Sequence, residues 1–94
     1  MNGFIYILTN KPNGTLYIGV TSNLSRRIEQ HRDKTTFAFT EKYNLNTLVY
    51  VESLETLNQA ICREKQLKNW HRQWKINLIE KVNPDWEDIS HTLI

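Results

Sequence analysis

Tyr6, Tyr17, Arg27, His31 and Glu64 are the side chains of this 94-residue sequence whose types and spacing could do chemistry. Arg27 and His31 stand four apart in Leu24 to Arg32, where Leu24 and Ile28 recur at helical spacing, so both lie on one helix face. Arg27 also follows Leu24 by three, near the inward stripe, while Arg26, Glu29 and Arg32 face outward. A guanidinium held near a core is costly unless an anion meets it, and a carboxylate or a phosphate would serve. The simpler alternative is a snorkelling arginine beside a solvated histidine.

Glu64 falls within the apolar stripe of a second helical pattern, four residues from Ala60 and three from both Ile61 and Leu67. A carboxylate in that position must be paired or neutralised. Two readings stay open: an internal ion pair, with Arg27 an available partner, and a ligand for a hard divalent ion. Mg²⁺ commonly takes one protein carboxylate plus water and phosphate oxygens. Around Glu64 run Arg63, Lys65, Lys68, Arg72 and Lys75. Such a basic stripe could meet phosphates, and the same pattern also suits a solvated helix face.

These side chains need elements to hold them. Phe4 to Thr9 and Thr15 to Val20 are rich in β-branched and aromatic residues and read as strands, joined through a hairpin signal at Asn13-Gly14. A two-residue turn there pairs residues whose numbers sum to an odd value. That register sets Ile5, Ile7, Leu16, Ile18 and Val20 on one face, the better core face. Phe4, Tyr6, Leu8, Tyr17 and Gly19 take the other, with Gly19 leaving room for something to approach the two phenols. Tyrosine favours strands in any case, so two strand phenols with wet hydroxyls would look the same.

Ser22-Asn23 offers an N-cap to the helix from Leu24 to Arg32. The segment from Thr35 to Asn46 reads as a short helix carrying Phe37, Phe39 and Tyr43. Leu48 to Val51 reads as a third strand, Leu57 to Trp70 as a long amphipathic helix, and Trp74 to Val82 as a last helix stopped before Pro84. Trp70, Trp74 and Trp86 read as core and lid packing rather than base-stacking platforms. The order β-β-α-α-β-α-α predicts an α+β fold: a small three-stranded antiparallel sheet flanked by helices.

Length and composition bound the rest. The chain is one domain, residues 1–94, since a second core does not fit. With 39% hydrophobic and 23% charged residues it is an ordinary globular sequence, which excludes fibrous and disordered classes. No apolar run approaches the roughly 20 residues that span a bilayer, so no membrane role is expected. The start has neither a basic n-region nor an apolar stretch of signal length. Cys62 is the one cysteine, so a disulfide framework and a Cys-based zinc site are both excluded, and a reducing cytoplasmic setting is expected. His31, His71 and His91 lack metal-ligand spacing.

Phe4-Ile5-Tyr6, ten residues, then Tyr17-Ile18-Gly19 resembles the paired signature of the GIY-YIG nuclease superfamily. Arg27 and His31 stand where that family places its arginine and a histidine one turn on. Arg63-Glu64-Lys65-Gln66-Leu67-Lys68-Asn69-Trp70 is similar to its metal-binding glutamate motif, and Asn83-Pro84-Asp85-Trp86 to its terminal asparagine motif. The likeness spans nearly the whole chain with its motifs in order, and is closest to the small stand-alone bacterial branch. Two departures stand out: Phe4 replaces the first glycine, and the segment Thr35 to Asn46 has no histidine where some members carry one.

The resemblance implies metal-dependent hydrolysis of DNA phosphodiesters, structure-selective and in repair or recombination. It implies one divalent ion, Mg²⁺ or Mn²⁺, on Glu64. Tyr6 would be the general base toward water, Tyr17 and His31 would assist, Arg27 would bind the scissile phosphate, and Asn83 would shore up the site. Arg26, Arg63, Lys65, Lys68 and Arg72 would contact the nucleic acid. The alternative is a non-catalytic nucleic-acid-binding or partner-dependent interaction module, since small nucleases without a recognition domain often need a protein partner for targeting.

Overall fold

The computed structural model describes residues 2–33 and 45–92, with residues 31–33 and 92 described as backbone only. The expected short helix between 35 and 46 therefore falls almost wholly outside the described residues. Within them the order is β1 (Gly3–Thr9), β2 (Leu16–Thr21), α1 (Leu24–Asp33), β3 (Thr47–Leu54), α2 (Leu57–Lys68) and α3 (Arg72–Val82), with a closing 3₁₀ turn at Ser90–Thr92. The sheet is antiparallel, with β1 in the centre: β2-β1-β3. The predicted α+β fold, a three-stranded sheet flanked by helices, is the fold observed.

The hairpin turn differs in detail from expectation. Pairing ends at Thr9↔Leu16, and the loop closes through Gly14 N–H donating to Lys11 C=O at 2.9 Å. Pro12 and Asn13 are its central residues, and Asn13 takes φ 57°. Proline followed by a left-handed asparagine is the type II pattern. Asn10 Oδ1 accepts from Thr15 N–H at 3.1 Å and ties the loop base. Pairs now sum to 25 instead of 27, still an odd value. The parity survives a one-residue shift of the turn centre, so every side chain keeps its expected face.

Both faces of the sheet are covered. On one, Ile5, Ile7 and Ile18 pack with Ala60 and Leu67 of α2, Ile76 and Ile79 of α3, and Trp86. On the other, Tyr6, Leu8 and Leu48 pack with Leu24 and Ile28 of α1 and with Leu45. The expectation of a single aliphatic core face misses this second layer. A bulge in β3 feeds both: Ile7 pairs with Tyr50 but Leu8 with Leu48, so Val49 is the extra residue. Val49 and Tyr50, adjacent in sequence, thus join the same cluster while Leu48 turns to the other.

Local chemistry fixes the helix starts. Asn23 Oδ1 accepts from Arg26 N–H at 3.2 Å, the expected cap of α1. Thr56 and Gln59 form a reciprocal capping box on α2. The start of α2 lies directly on β1 at Gly3, where a β-carbon would come within 2.7 Å of Ala60 Cβ and 2.8 Å of backbone atoms at Thr56 and Leu57. β3 is longer than Leu48 to Val51 because Thr47 and Glu52 to Leu54 also pair with β1, Thr9↔Thr47 at one end and Gly3↔Leu54 at the other; Ile89 N–H donates to Leu48 C=O at 2.9 Å on the outer edge.

Candidate functional site

Tyr6 sits on the central strand and is fully buried. Tyr17, on the edge strand β2, shares its face, with ring centroids 6.3 Å apart and planes at 41°. Arg27 reaches the pair from the third residue behind Leu24, whose own side chain anchors α1 in the same cluster. The Tyr6 hydroxyl is hydrogen-bonded to both Tyr17 and the Arg27 guanidinium. Strand alternation had set Tyr6 and Tyr17 on one face; that Arg27 joins them was implied by the family resemblance and is seen only once α1 is laid on that face.

The space beside Gly19 has an occupant within the chain itself. A β-carbon there would collide with the Tyr6 phenol, so the glycine admits Tyr6 rather than an outside ligand. Burial pushes the Tyr6 phenol well above the ordinary tyrosine range, and a charged Tyr17 would push it further; Arg27 pulls the other way and does not win. As folded, Tyr6 is a protonated hydroxyl that donates and accepts hydrogen bonds.

Glu64 lies on α2, with 16% of its side chain exposed. Its ion pair is with Lys68, one turn on, at 3.2 Å. That resolves the pairing expectation: the partner is Lys68, while Arg27 engages Tyr6. α2 crosses β1 and β2 on the face opposite α1, so the site straddles the edge strand. A cavity of about 240 Å³ lies beside β2, lined by Leu16, Tyr17, Ile18, Lys68 and Lys75. Tyr17 lines it from β2, and Lys68, the partner of Glu64, lines it from α2. Among the described residues there is no group of three or more His, Cys, Asp or Glu that could enclose a metal. A lone, partly exposed carboxylate fits an open site for a hard cation that keeps most of its water, and does not fit a closed zinc-type site.

The remaining expected residues divide by what they touch. Asn83 is buried and caps α3; its Nδ2 donates to Val49 C=O at 3.1 Å and Glu87 C=O at 2.9 Å, and its Oδ1 accepts from Glu87 N–H at 3.0 Å. It fastens the closing segment onto the β3 bulge. Arg63 Nε pairs with Glu52 at 3.0 Å, its Nη1 donates to Gln66, and its guanidinium lies 5.2 Å from the Trp70 ring centroid. Arg72 donates to the carbonyls of Asn13 and Gly14, clamping α3 to the hairpin turn. Arg26 and Lys65 are exposed. Arg26 and Arg27 line a polar pocket of about 170 Å³ with Thr21, Asn23 and Gln30. His31 lies on α1, with its side chain outside the described residues.

Two features escaped the sequence. Tyr50 donates to Glu52 at 2.8 Å, and burial with that carboxylate pushes its phenol up to about 12. Tyr50 and Glu52 stand two apart on β3, and Glu52 carries the link on to α2 through Arg63. Trp74, expected as packing, is 54% exposed.

The chain is similar to known proteins over most of its length. The pattern defining the GIY-YIG catalytic domain matches residues 2–77. A UPF0213 protein of Staphylococcus aureus (strain Mu3) is 33% identical over 78 residues, covering 83% of this chain and 94% of that protein. A UPF0213 protein of Staphylococcus haemolyticus matches to the same extent. The solution structure of the UPF0213 protein BH0048 from Bacillus halodurans superposes with a TM-score of 0.59 at 26% identity, covering 94% of this chain and 93% of that one. With the domain pattern spanning most of the chain, this protein belongs to the GIY-YIG family.

Proposed function

We propose that this protein is a metal-assisted endonuclease that hydrolyses phosphodiester bonds in structured DNA. The observation that carries this reading is the Tyr6–Tyr17–Arg27 hydrogen-bonded group, which reaches the Glu64 helix through the shared cavity at Tyr17. A divalent ion on Glu64 would supply Lewis-acid stabilisation of the phosphate and acidify water. Arg27 binds the scissile phosphate and stabilises the charge that develops there. Tyr17, half-buried at the cavity, orients water or a phosphate oxygen through its hydroxyl. Tyr6 takes a proton only where added positive charge offsets its burial. Lys68 gives up Glu64 and turns to the phosphate backbone.

A second reading rests on a specific observation. Tyr6 is held protonated and Glu64 is already paired, so the described geometry by itself suits binding of nucleic acid better than cutting it. On that reading the domain is a binding or partner-dependent module. Cleavage of labelled duplex, flap, branched and single-stranded DNA, with Mg²⁺ or Mn²⁺ against EDTA, separates the two. Metal-dependent cutting supports the first; binding without cutting in every metal supports the second.

A further inference from the structure

We propose that the corner between α2 and α3 is a stacking site for an unpaired nucleotide, with Trp74 as its platform, so that the protein selects nucleic acid bearing a single-stranded segment. The inference deepens the function proposed above and rests on nucleic acid being the ligand. It does not depend on cleavage.

Trp74 exposes 54% of its surface, in a fold where Trp86 exposes only 5%. It is nevertheless braced: its ring stands perpendicular to Trp70 at 6.0 Å and to His71 at 5.1 Å. A large, pre-ordered aromatic surface facing water is what base stacking uses, because every base has a π-face. The next residue, Lys75, lines the cavity with Leu16, Tyr17, Ile18 and Lys68. That cavity has an aliphatic floor and two ammonium groups, and it touches the candidate site at Tyr17. Charge complementarity thus names the occupant: a polyanion whose bases stack and whose phosphates meet Lys68 and Lys75. In duplex DNA the base faces are already stacked and cannot reach a tryptophan. A nucleotide at a flap, branch or end can.

Fluorescence anisotropy of the full chain in EDTA tests this with a labelled single-stranded oligothymidine and a labelled blunt duplex. Trp74→Ala should weaken single-strand binding by about tenfold, the size of one lost stack, and leave duplex binding within twofold. Trp74→Phe should recover most of the loss. Lys75→Gln should reduce the slope of log affinity against log salt by about one. Equal losses on both substrates, or no loss in Trp74→Ala, would overturn the stacking site while leaving nucleic-acid binding intact. No binding of either substrate by the wild type would overturn the nucleic-acid reading itself. A wild-type dimer in sedimentation that becomes monomeric in Trp74→Ala would assign the surface to a second copy of the chain and overturn the proposal.

Discussion

Tyr6 decides whether a phenol can act as the base. Its folded pKa lies above the ordinary value near 10, because burial disfavours the phenolate. The sign of the consequence follows directly. Below that pKa the phenolate fraction rises tenfold with each pH unit, so a rate that depends on it keeps climbing. Single-turnover cleavage should therefore increase from pH 6 through pH 9 with no plateau. A rise that levels off near pH ~6.5 would transfer the base role to His31, whose reference pKa lies there. The shared face of Tyr6 and Tyr17 was legible in the sequence because strand alternation acts locally, whereas the meeting of Arg27 with them depends on how α1 packs on the sheet. The protonation state of Tyr6 was not, because it depends on α1 closing the face above it.

At the scale of elements, the sheet is a scaffold with close tolerances on both sides. Gly19 adopts an ordinary backbone conformation, so its role is space for the Tyr6 ring rather than freedom in φ. Gly19→Ala should destabilise the protein by about 1–3 kcal/mol through overpacking, measured by urea unfolding. A neutral result would mean that the ring has another place to go. Asn83 is the corresponding fastener for β3. Asn83→Ala leaves the buried Val49 carbonyl without its donor and releases the Glu87 backbone, and should cost about 2 kcal/mol. If cleavage falls in this variant only in proportion to the unfolded fraction, Asn83 acts by holding the segment and not at the phosphate.

The three strands and three helices were legible from periodicity and capping residues, while the β3 bulge was not, since nothing in Leu48-Val49-Tyr50 marks an extra residue. Trp74 shows the limit from the other direction. Its spacing from Trp70 is that of packed helix neighbours, and the two rings do touch, but spacing cannot say that the outer one stays exposed.

Over the whole molecule, the candidate residues lie on two faces of one small sheet beside its β2 edge. Tyr6, Tyr17 and Arg27 group on one face, Glu64 lies on α2 over the other, and a cavity at that edge is lined by Tyr17 and Lys68. One such site cuts one strand, so a double-strand break requires two binding events or two copies. Lys68 is 54% exposed and the Glu64 side chain 16%, so removing Glu64 leaves its partner in water and strands no buried charge. That lets chemistry and structure be separated at this residue. The most direct test is therefore single-turnover cleavage of a labelled flap substrate in Mg²⁺ and Mn²⁺, comparing wild type with Glu64→Ala and with thermal unfolding run in parallel. The expected result is metal-dependent cutting by the wild type that disappears in a variant of nearly unchanged stability. Cutting that survives in Glu64→Ala, or a wild type that binds the flap and never cuts it in either metal, would contradict it.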